Sequence, residues 1–244
     1  MRRFKLILEY EGTTYHGWQV QPGLPTIQGV LQEILFRIAG APVQVTGAGR
    51  TDAGVHALGQ VASFSADLRL DPPTLRRALN ASLPRDIVVC QAEEAPLDFD
   101  ARRSARCKAY RYTILRRDYP SAWMGRHTLY VSGPLDADAM AEAARAVVGT
   151  HDFSAFRAAT CAAKSPVRSV MDASWRVAGD LYQFEITANA FLQHMVRILV
   201  GTFLDVGRGK RAPTDVADVL ASRNRRCAGK TAPPHGLCLV EVQY

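Results

Sequence analysis

The order of the predicted elements indicates an α+β protein made of two halves, each with the order β-α-β-β-α-β. In some short segments every second residue is apolar, which is typical of half-buried strands. In others apolar residues recur every three or four positions, which is typical of amphipathic helices. Because the same order occurs twice, we predict two ferredoxin-like halves. Their antiparallel sheets are expected to join into one wide sheet with helices packed on one side.

The first half is predicted over residues 1–103. Its opening strand covers 3–10, where apolar side chains occupy alternate positions. The next element is a helix with one apolar face, in which Thr26 is placed to cap the start and Gly40 the end. A glycine-rich segment then interrupts a strand. Asp71, which is followed by a proline, opens a second helix ahead of the last strand of this half.

The second half is predicted over residues 104–244, after a segment with few large apolar residues. It begins with the strand CKAYRYTILRR, in which Lys108, Tyr110 and Tyr112 share one face. The remaining predicted elements are a helix over 136–148, strands over 167–177 and 182–188, a helix over 191–206, a shorter helix from Pro213 and a strand over 237–242. The helix over 191–206 is apolar on most sides, so we expect it to be buried.

Composition and charge narrow the class of protein. Of 244 residues, 48% are hydrophobic and 22% are charged, which excludes disordered and collagen-like chains. No apolar run reaches the roughly 18 residues of a membrane helix, and the amino-terminal stretch is a poor secretory signal, so we expect a cytoplasmic protein. The net charge is +7, and 25 of the 30 basic residues are Arg. This balance fits either a solvated basic surface or a nucleic-acid partner.

The five cysteines do not resemble a metal site. No pair has the C-x-x-C spacing, and no His stands at a metal-ligand distance from any of them. We therefore predict free thiols in a reducing compartment and no bound metal.

The segment GAGRTDAGVHALGQ, residues 47–60, combines four glycines with Asp52, the one acid between Glu33 and Asp67. It lacks the further glycines or the G-K-[ST] of nucleotide-binding loops. Asp52 either caps a turn or is a carboxylate kept ionised by a cation and ready to act as a nucleophile. Arg50 or a distant Arg could supply that cation. We read His56 as structural rather than as a general base.

The segment KAYRYTILRR places two tyrosines on one face of a strand. Tyr110 and Tyr112 are either core aromatics or a platform on which a base stacks. The basic residues around them are Lys108, Arg111, Arg116 and Arg117. Aromatic residues interleaved with basic ones favour a nucleic-acid ligand.

The segment ANAFLQHMVRILVG places Arg197 within an apolar helix. A buried Arg needs an anionic partner, and a carboxylate on a neighbouring loop is the simplest candidate. The alternative is that the side chain extends along the helix to reach solvent.

Together GRTDAGVHA, KAYRY and NAFLQHMVRILVG resemble the tRNA pseudouridine synthase I (TruA) family. The resemblance covers nearly the whole chain and extends to EYEGTTYHGWQ, TIQGVLQEIL, HDFSAFRA and GLCLVEVQY. The motif GRTDAGVHA is highly specific, whereas KAYRY gains its weight from its order and spacing.

The resemblance implies a cofactor-free isomerase that converts uridine to pseudouridine at positions 38, 39 and 40 of the tRNA anticodon stem-loop. It also implies a homodimer in which one tRNA contacts both subunits. By the same resemblance Asp52 is the catalytic residue, Tyr110 contacts the target base and Arg197 pairs with Asp52. Arg50 helps to hold the nucleotide out of the helix.

The expected site has catalytic and substrate-binding members. They are the catalytic residues Asp52, Tyr110 and Arg197, and the substrate-binding residues Arg50, Tyr110, Lys108, Arg111 and His56. We expect tRNA as the partner, with no metal, no cofactor and no membrane. Three other functions stay open from the residues alone. They are a non-catalytic RNA-binding module, a nucleoside or nucleotide glycosidase, and a metal-dependent nuclease, for which no carboxylate cluster is visible.

Overall fold

The computed structural model describes residues 1–244 and contains ten strands and five α-helices. It is an α+β protein with a wide mixed sheet, which confirms the predicted class. The chain forms two compact units, Met1–Arg106 with Leu239–Tyr244, and Cys107–Cys238. The last six residues thus group with the first unit, whereas the sequence prediction assigned all of 104–244 to the second half.

The first unit is built on an antiparallel sheet. Its elements are β1 (Arg2–Tyr10), α1 (Ile27–Ala39), β2 (Thr46–Gly47), β3 (His56–Ala66), α2 (Pro72–Ser82), β4 (Ile87–Ala95) and the main part of β10 (Leu237–Gln243). Strand β1 is central and pairs with both β3 and β4, while β2 pairs with β3. Strand β10 is the other neighbour of β3. A side chain at Gly59 would collide with the Val240 carbonyl, so glycine allows this close approach.

The helix caps of the first unit are those predicted from the sequence. The Thr26 hydroxyl accepts a hydrogen bond from the Gly29 N–H at the start of α1. Gly40 ends α1 in the left-handed conformation, with φ of 69°. The Asp71 carboxylate accepts a hydrogen bond from the Thr74 N–H at the start of α2.

The second unit contains a sheet and three helices. Its elements are β5 (Cys107–Arg116), β6 (Leu129–Val131), α3 (Ala137–Arg145), β7 (Gly149–Asp152), β8 (Val167–Ala178), β9 (Leu181–Ala188), α4 (Met195–Gly207) and α5 (Asp215–Ser222). The strand order is β5-β9-β8-β7, all antiparallel, and β6 pairs with β5 in parallel. The hairpin turn predicted at Gly179 joins β8 to β9. Strands β6 and β7 were not predicted, because three or four residues are too few to show a period.

Helix α4 begins four residues later than predicted, at Met195 rather than at Phe191. The residue before it, His194, has φ of 63°, and this left-handed backbone cannot continue a helix. By length and hydropathy, none of the five α-helices qualifies as a membrane span. None of the five cysteines forms a disulfide.

The segment 228–232 lies directly against α4. The Thr202 hydroxyl donates to the Ile198 carbonyl within the helix and accepts from the Gly229 N–H at 2.9 Å. A Cβ at Gly201 would overlap the Lys230 carbonyl oxygen. The absence of a side chain at Gly201 therefore lets this segment approach the helix backbone.

We expect Gly201→Ala to lower the free energy of unfolding by about 1–3 kcal/mol, because the added methyl must displace the 228–232 backbone. The sign of this change in the free energy of unfolding identifies the contact, since Gly→Ala in a helix interior normally stabilises by about 1 kcal/mol. Urea unfolding of the two proteins measures the difference. A variant as stable as the wild type would show that the segment does not depend on this contact.

Candidate active site

Asp52 lies on a tight turn just before β3. The Val55 N–H donates to the Asp52 carbonyl at 3.1 Å, and Gly54, the third residue of the turn, has φ of 76°. A positive φ at this position is the mark of a type II turn, where glycine is preferred. The turn leaves Asp52 half-buried at its first corner. A hydrogen bond between main-chain atoms therefore closes the turn.

The segment 12–18 holds this turn from one side. The Trp18 N–H donates to the Thr51 carbonyl at 3.0 Å. A side chain at Gly12 would collide with the Val55 carbonyl, and one at Gly17 would press on the Thr51 carbonyl. Both glycines are needed for main chain to pack on main chain. The segment EGTTYHGWQVQPG, residues 11–23, therefore has a role that its sequence alone did not reveal.

A buried polar network supports the same turn from the sheet. The Tyr10 and Thr51 hydroxyls are 2.8 Å apart, and the Gln60 amide donates to the Gly49 carbonyl at 2.9 Å and to the Tyr10 hydroxyl at 3.3 Å. All three side chains are buried. No sequence pattern predicted this network. The available signal was a polar Gln60 on a strand whose neighbours are mostly apolar.

His56 is the first residue of β3 and is buried. Its Nδ1 accepts a hydrogen bond from the Gly12 N–H at 3.0 Å, which requires that nitrogen to carry no proton. The Glu11 carboxylate lies 3.6 Å from the same atom. These contacts tie His56 to the segment that clamps the turn.

Arg50 is exposed two residues before Asp52, and its Nε donates to the Gln19 side chain at 3.2 Å. The contact links Arg50 to the end of the 12–18 segment. An exposed guanidinium at this position can move toward a ligand without losing any buried partner.

In the second unit, Lys108, Tyr110 and Tyr112 share one face of β5 and are all buried. The Tyr110 ring meets Phe191 edge to face, with ring centroids 5.0 Å apart. The Tyr112 hydroxyl donates to the Pro233 carbonyl at 2.9 Å. Burial raises the pKa of the Tyr112 phenol, against a smaller opposing effect of the Arg197 charge. Tyr112 is therefore a core residue that stays neutral.

Arg111 lies on the opposite face of β5 from Tyr110. Its guanidinium contacts the Glu185 carboxylate through Nε and through a terminal nitrogen, both at 2.8 Å. Glu185 is the cross-strand partner of Arg111 in β9. The pair explains Arg111 as part of the sheet surface, so its predicted role in substrate binding gains no support from this geometry.

Arg197 is half-buried on the first turn of α4. Its Nε donates to the Ala232 carbonyl at 2.8 Å, and the Ala232 N–H donates to the Arg197 carbonyl at 3.0 Å. The segment that packs on α4 thus fixes both the backbone and the side chain of Arg197. Burial and the nearby Arg197 charge lower the pKa of His235.

The chain is similar to known proteins over its full length. The profile of the tRNA pseudouridine synthase family matches residues 6–102 and 143–244, which include Asp52 and Arg197. A protein named tRNA pseudouridine synthase A from Myxococcus xanthus is 50% identical over 245 residues, covering 100% of this chain and 92% of the relative. Proteins of the same name from Geotalea uraniireducens and Acetivibrio thermocellus are 46% and 45% identical, with 100% of both chains covered.

We expect Tyr10→Phe to loosen the turn at Asp52, because Thr51 and Gln60 each lose a buried partner, at a cost of about 1–2 kcal/mol in the free energy of unfolding. Hydrogen exchange at the Trp18 amide, which is bonded to the Thr51 carbonyl, should become faster. Tyr244→Phe is the matched control, since it removes a hydroxyl bonded to the Ala101 carbonyl in the same unit. Equal exchange at Trp18 in both variants would argue against a supporting role for Tyr10.

Proposed function

The chain belongs to the tRNA pseudouridine synthase family and isomerises uridine to pseudouridine in tRNA, and we propose that Asp52 is its catalytic residue and the anticodon stem-loop its target. Within the stem-loop the expected targets are the uridines at positions 38, 39 and 40. The observation that carries the catalytic assignment is the single carboxylate held on a clamped turn, at the centre of the motif GRTDAGVHA.

The reaction needs a group that can act at carbon, and it needs neither an oxidant nor water. The C1′–N1 bond of uridine breaks, the base rotates, and a C1′–C5 bond forms. The proton on C5 is lost to solvent, and N1 gains a proton. Because the sum is an isomerisation, we propose a mechanism without a metal or a redox cofactor. Asp52 can add at C1′, add at C6 of the base, or abstract a sugar proton.

We propose that Arg197 pairs with Asp52 and keeps its carboxylate ionised. A cation within about 4–6 Å favours the charged form of a carboxylate, and the effect is larger where water is excluded. In the second unit the Arg197 side chain is already oriented by the Ala232 carbonyl, so little conformational entropy remains to be lost on pairing. Under this proposal the half-buried arginine of the apolar helix has an anionic partner.

Among the remaining residues of the predicted site, Tyr110, Lys108 and His56 are buried, and Arg50 is exposed. We propose that Tyr110 stacks on the uracil and takes up the C5 proton, and that Lys108 lies beside it on the same strand face. Arg50 is exposed and is suited to fill the space left by the flipped nucleotide, whose unstacking costs a few kcal/mol. His56 supports substrate binding through the segment that it anchors.

The surplus of positive charge suits the phosphates of a folded RNA. We propose that tRNA binding weakens steeply as salt rises, because each phosphate contact releases counterions. Two copies of the chain are proposed to act as a homodimer that shares one tRNA. We assign the enzyme to the cytoplasm, where its substrate is found.

We expect Asp52→Asn to reduce pseudouridine formation by at least about a thousandfold while tRNA still binds. The assay is release of tritium from tRNA labelled at uridine C5, which is lost to water when C1′–C5 forms. Asp67→Asn, which removes the next acid along the chain at an exposed position, is the control and should stay active. Substantial turnover by Asp52→Asn would remove the carboxylate from its catalytic role. Tight tRNA binding by an inactive wild type would favour a binding module instead.

A double-mutant cycle tests the proposed pair of Asp52 and Arg197. We expect Arg197→Met to lower the free energy of unfolding by about 3–5 kcal/mol, because it strands a carboxylate without its cation. Adding Asp52→Asn should restore about 1–3 kcal/mol, since the stranded charge is then absent. Part of the loss will remain, because the bond to Ala232 is missing in both variants. Strictly additive losses would contradict the pairing.

A further inference from the structure

A basic cavity of about 400 Å³ lies in the second unit, and it includes none of the residues assigned above. Two short segments form its wall, residues 154–159 after β7 and residues 223–225 after α5. The lining residues are Ser154, Arg157, Ala158, Ala159, Arg223, Asn224 and Arg225. Three of these seven are arginines and none is acidic, so the cavity carries a concentrated positive charge.

The three arginines have different roles. Arg225 is committed to the protein, because its terminal nitrogens donate to the Ala228 and Gly229 carbonyls and to the Thr231 hydroxyl. Arg225 is therefore a structural part of the cavity wall. Arg157 is half-buried and Arg223 is exposed, so both guanidinium groups can meet a ligand from solvent.

Asp152 at the end of β7 balances part of this charge. Its Oδ1 accepts from the Ser154 N–H at 2.9 Å, and its Oδ2 lies 3.3 Å from the Nε of Arg223. The hydrogen bonds from Ser154, with the Arg223 and Arg157 charges, hold the pKa of Asp152 below its usual value. One carboxylate against three guanidinium groups leaves a net charge of about two at the cavity.

The backbone at Arg223 is strained. Arg223 follows the last residue of α5 with φ of 52°, a left-handed conformation in which helix ends favour Gly or Asn. A large side chain adopts this conformation at an energetic cost, and such outliers cluster at binding sites. The chain thus retains a guanidinium where backbone geometry alone would favour glycine.

We propose that this cavity binds a phosphate group of the tRNA backbone through Arg157 and Arg223, an inference that rests on the proposed function. One planar guanidinium group donates two parallel hydrogen bonds to two oxygens of a phosphate, a bidentate geometry that a lysine ammonium does not offer. The volume exceeds that of one phosphate, and the small side chains Ala158 and Ala159 leave room for the attached sugar. A free nucleotide carries the same phosphate chemistry, so the experiment separates the two sources.

The main test compares two variants with the same change in charge. We expect Arg157→Gln with Arg223→Gln to weaken tRNA binding about tenfold, and the slope of log Kd against log salt to become shallower by about 1–2. The control is Arg37→Gln with Arg76→Gln, which removes two arginines from α1 and α2. Titrations of labelled tRNA at several salt concentrations give both quantities. Equal binding by the two double variants would overturn the proposal.

A second variant separates binding from folding. Arg223→Gly removes the guanidinium and relieves the left-handed backbone, so we expect a Tm about 2–4 °C above that of the wild type. It should nevertheless bind tRNA more weakly than the wild type does. Wild-type affinity in this stably folded variant would exclude Arg223 from phosphate binding.

Uridine 5′-monophosphate distinguishes the source of the phosphate. Nucleotide binding that is lost in the Arg157 and Arg223 double variant, with tRNA affinity unchanged, would overturn the assignment to the tRNA backbone in favour of a free nucleotide. Pseudouridine formation by the wild type is measured in the same series. If the wild type forms pseudouridine and the double variant binds tRNA like its control, the cavity proposal alone fails. If the wild type forms no pseudouridine, the proposed function fails, and the tRNA titration still decides whether the cavity binds tRNA.

Discussion

The presentation of Asp52 depends on contacts between main-chain segments that side chains would prevent. Gly12 and Gly17 let the segment before α1 lie directly on the turn, and a Cβ at either position would meet a carbonyl of that turn. Beneath the turn, Tyr10 and Gln60 supply buried hydrogen bonds that water cannot replace. The catalytic role that we propose for Asp52 would gain from such a rigid base, since small displacements cost large factors in rate.

Arg197 is held by the same kind of contact in the second unit. Because Gly201 has no side chain, the 228–232 segment packs against the backbone of α4. In this position the Ala232 carbonyl accepts a hydrogen bond from the Nε of Arg197. A neutral carbonyl fixes the direction of the guanidinium without neutralising its charge. The protein therefore orients the arginine through a neutral acceptor.

The sequence predicts what depends on neighbouring residues. Strand alternation, the Thr26 cap and the φ of Gly40 are local properties, and all were predicted. Asp52 and Arg197 were identified because each is chemically out of place, an isolated acid in one case and a charge in an apolar helix in the other. The support from Tyr10 and Gln60 was missed, because their contacts join residues about 10 to 50 positions apart.

The partners of individual arginines tell more about RNA binding than the total charge of the chain does. Arg111 is paired with Glu185 and Arg2 with Glu94, so neither adds to the net charge of its surroundings. Arg225 uses its two terminal nitrogens to join three acceptors of its own unit, the Ala228 and Gly229 carbonyls and the Thr231 hydroxyl. The excess of Arg over Lys thus reflects structure as well as ligand. For the proposed phosphate site, the arginines that count are Arg157 and Arg223, whose combined charge Asp152 cancels only in part.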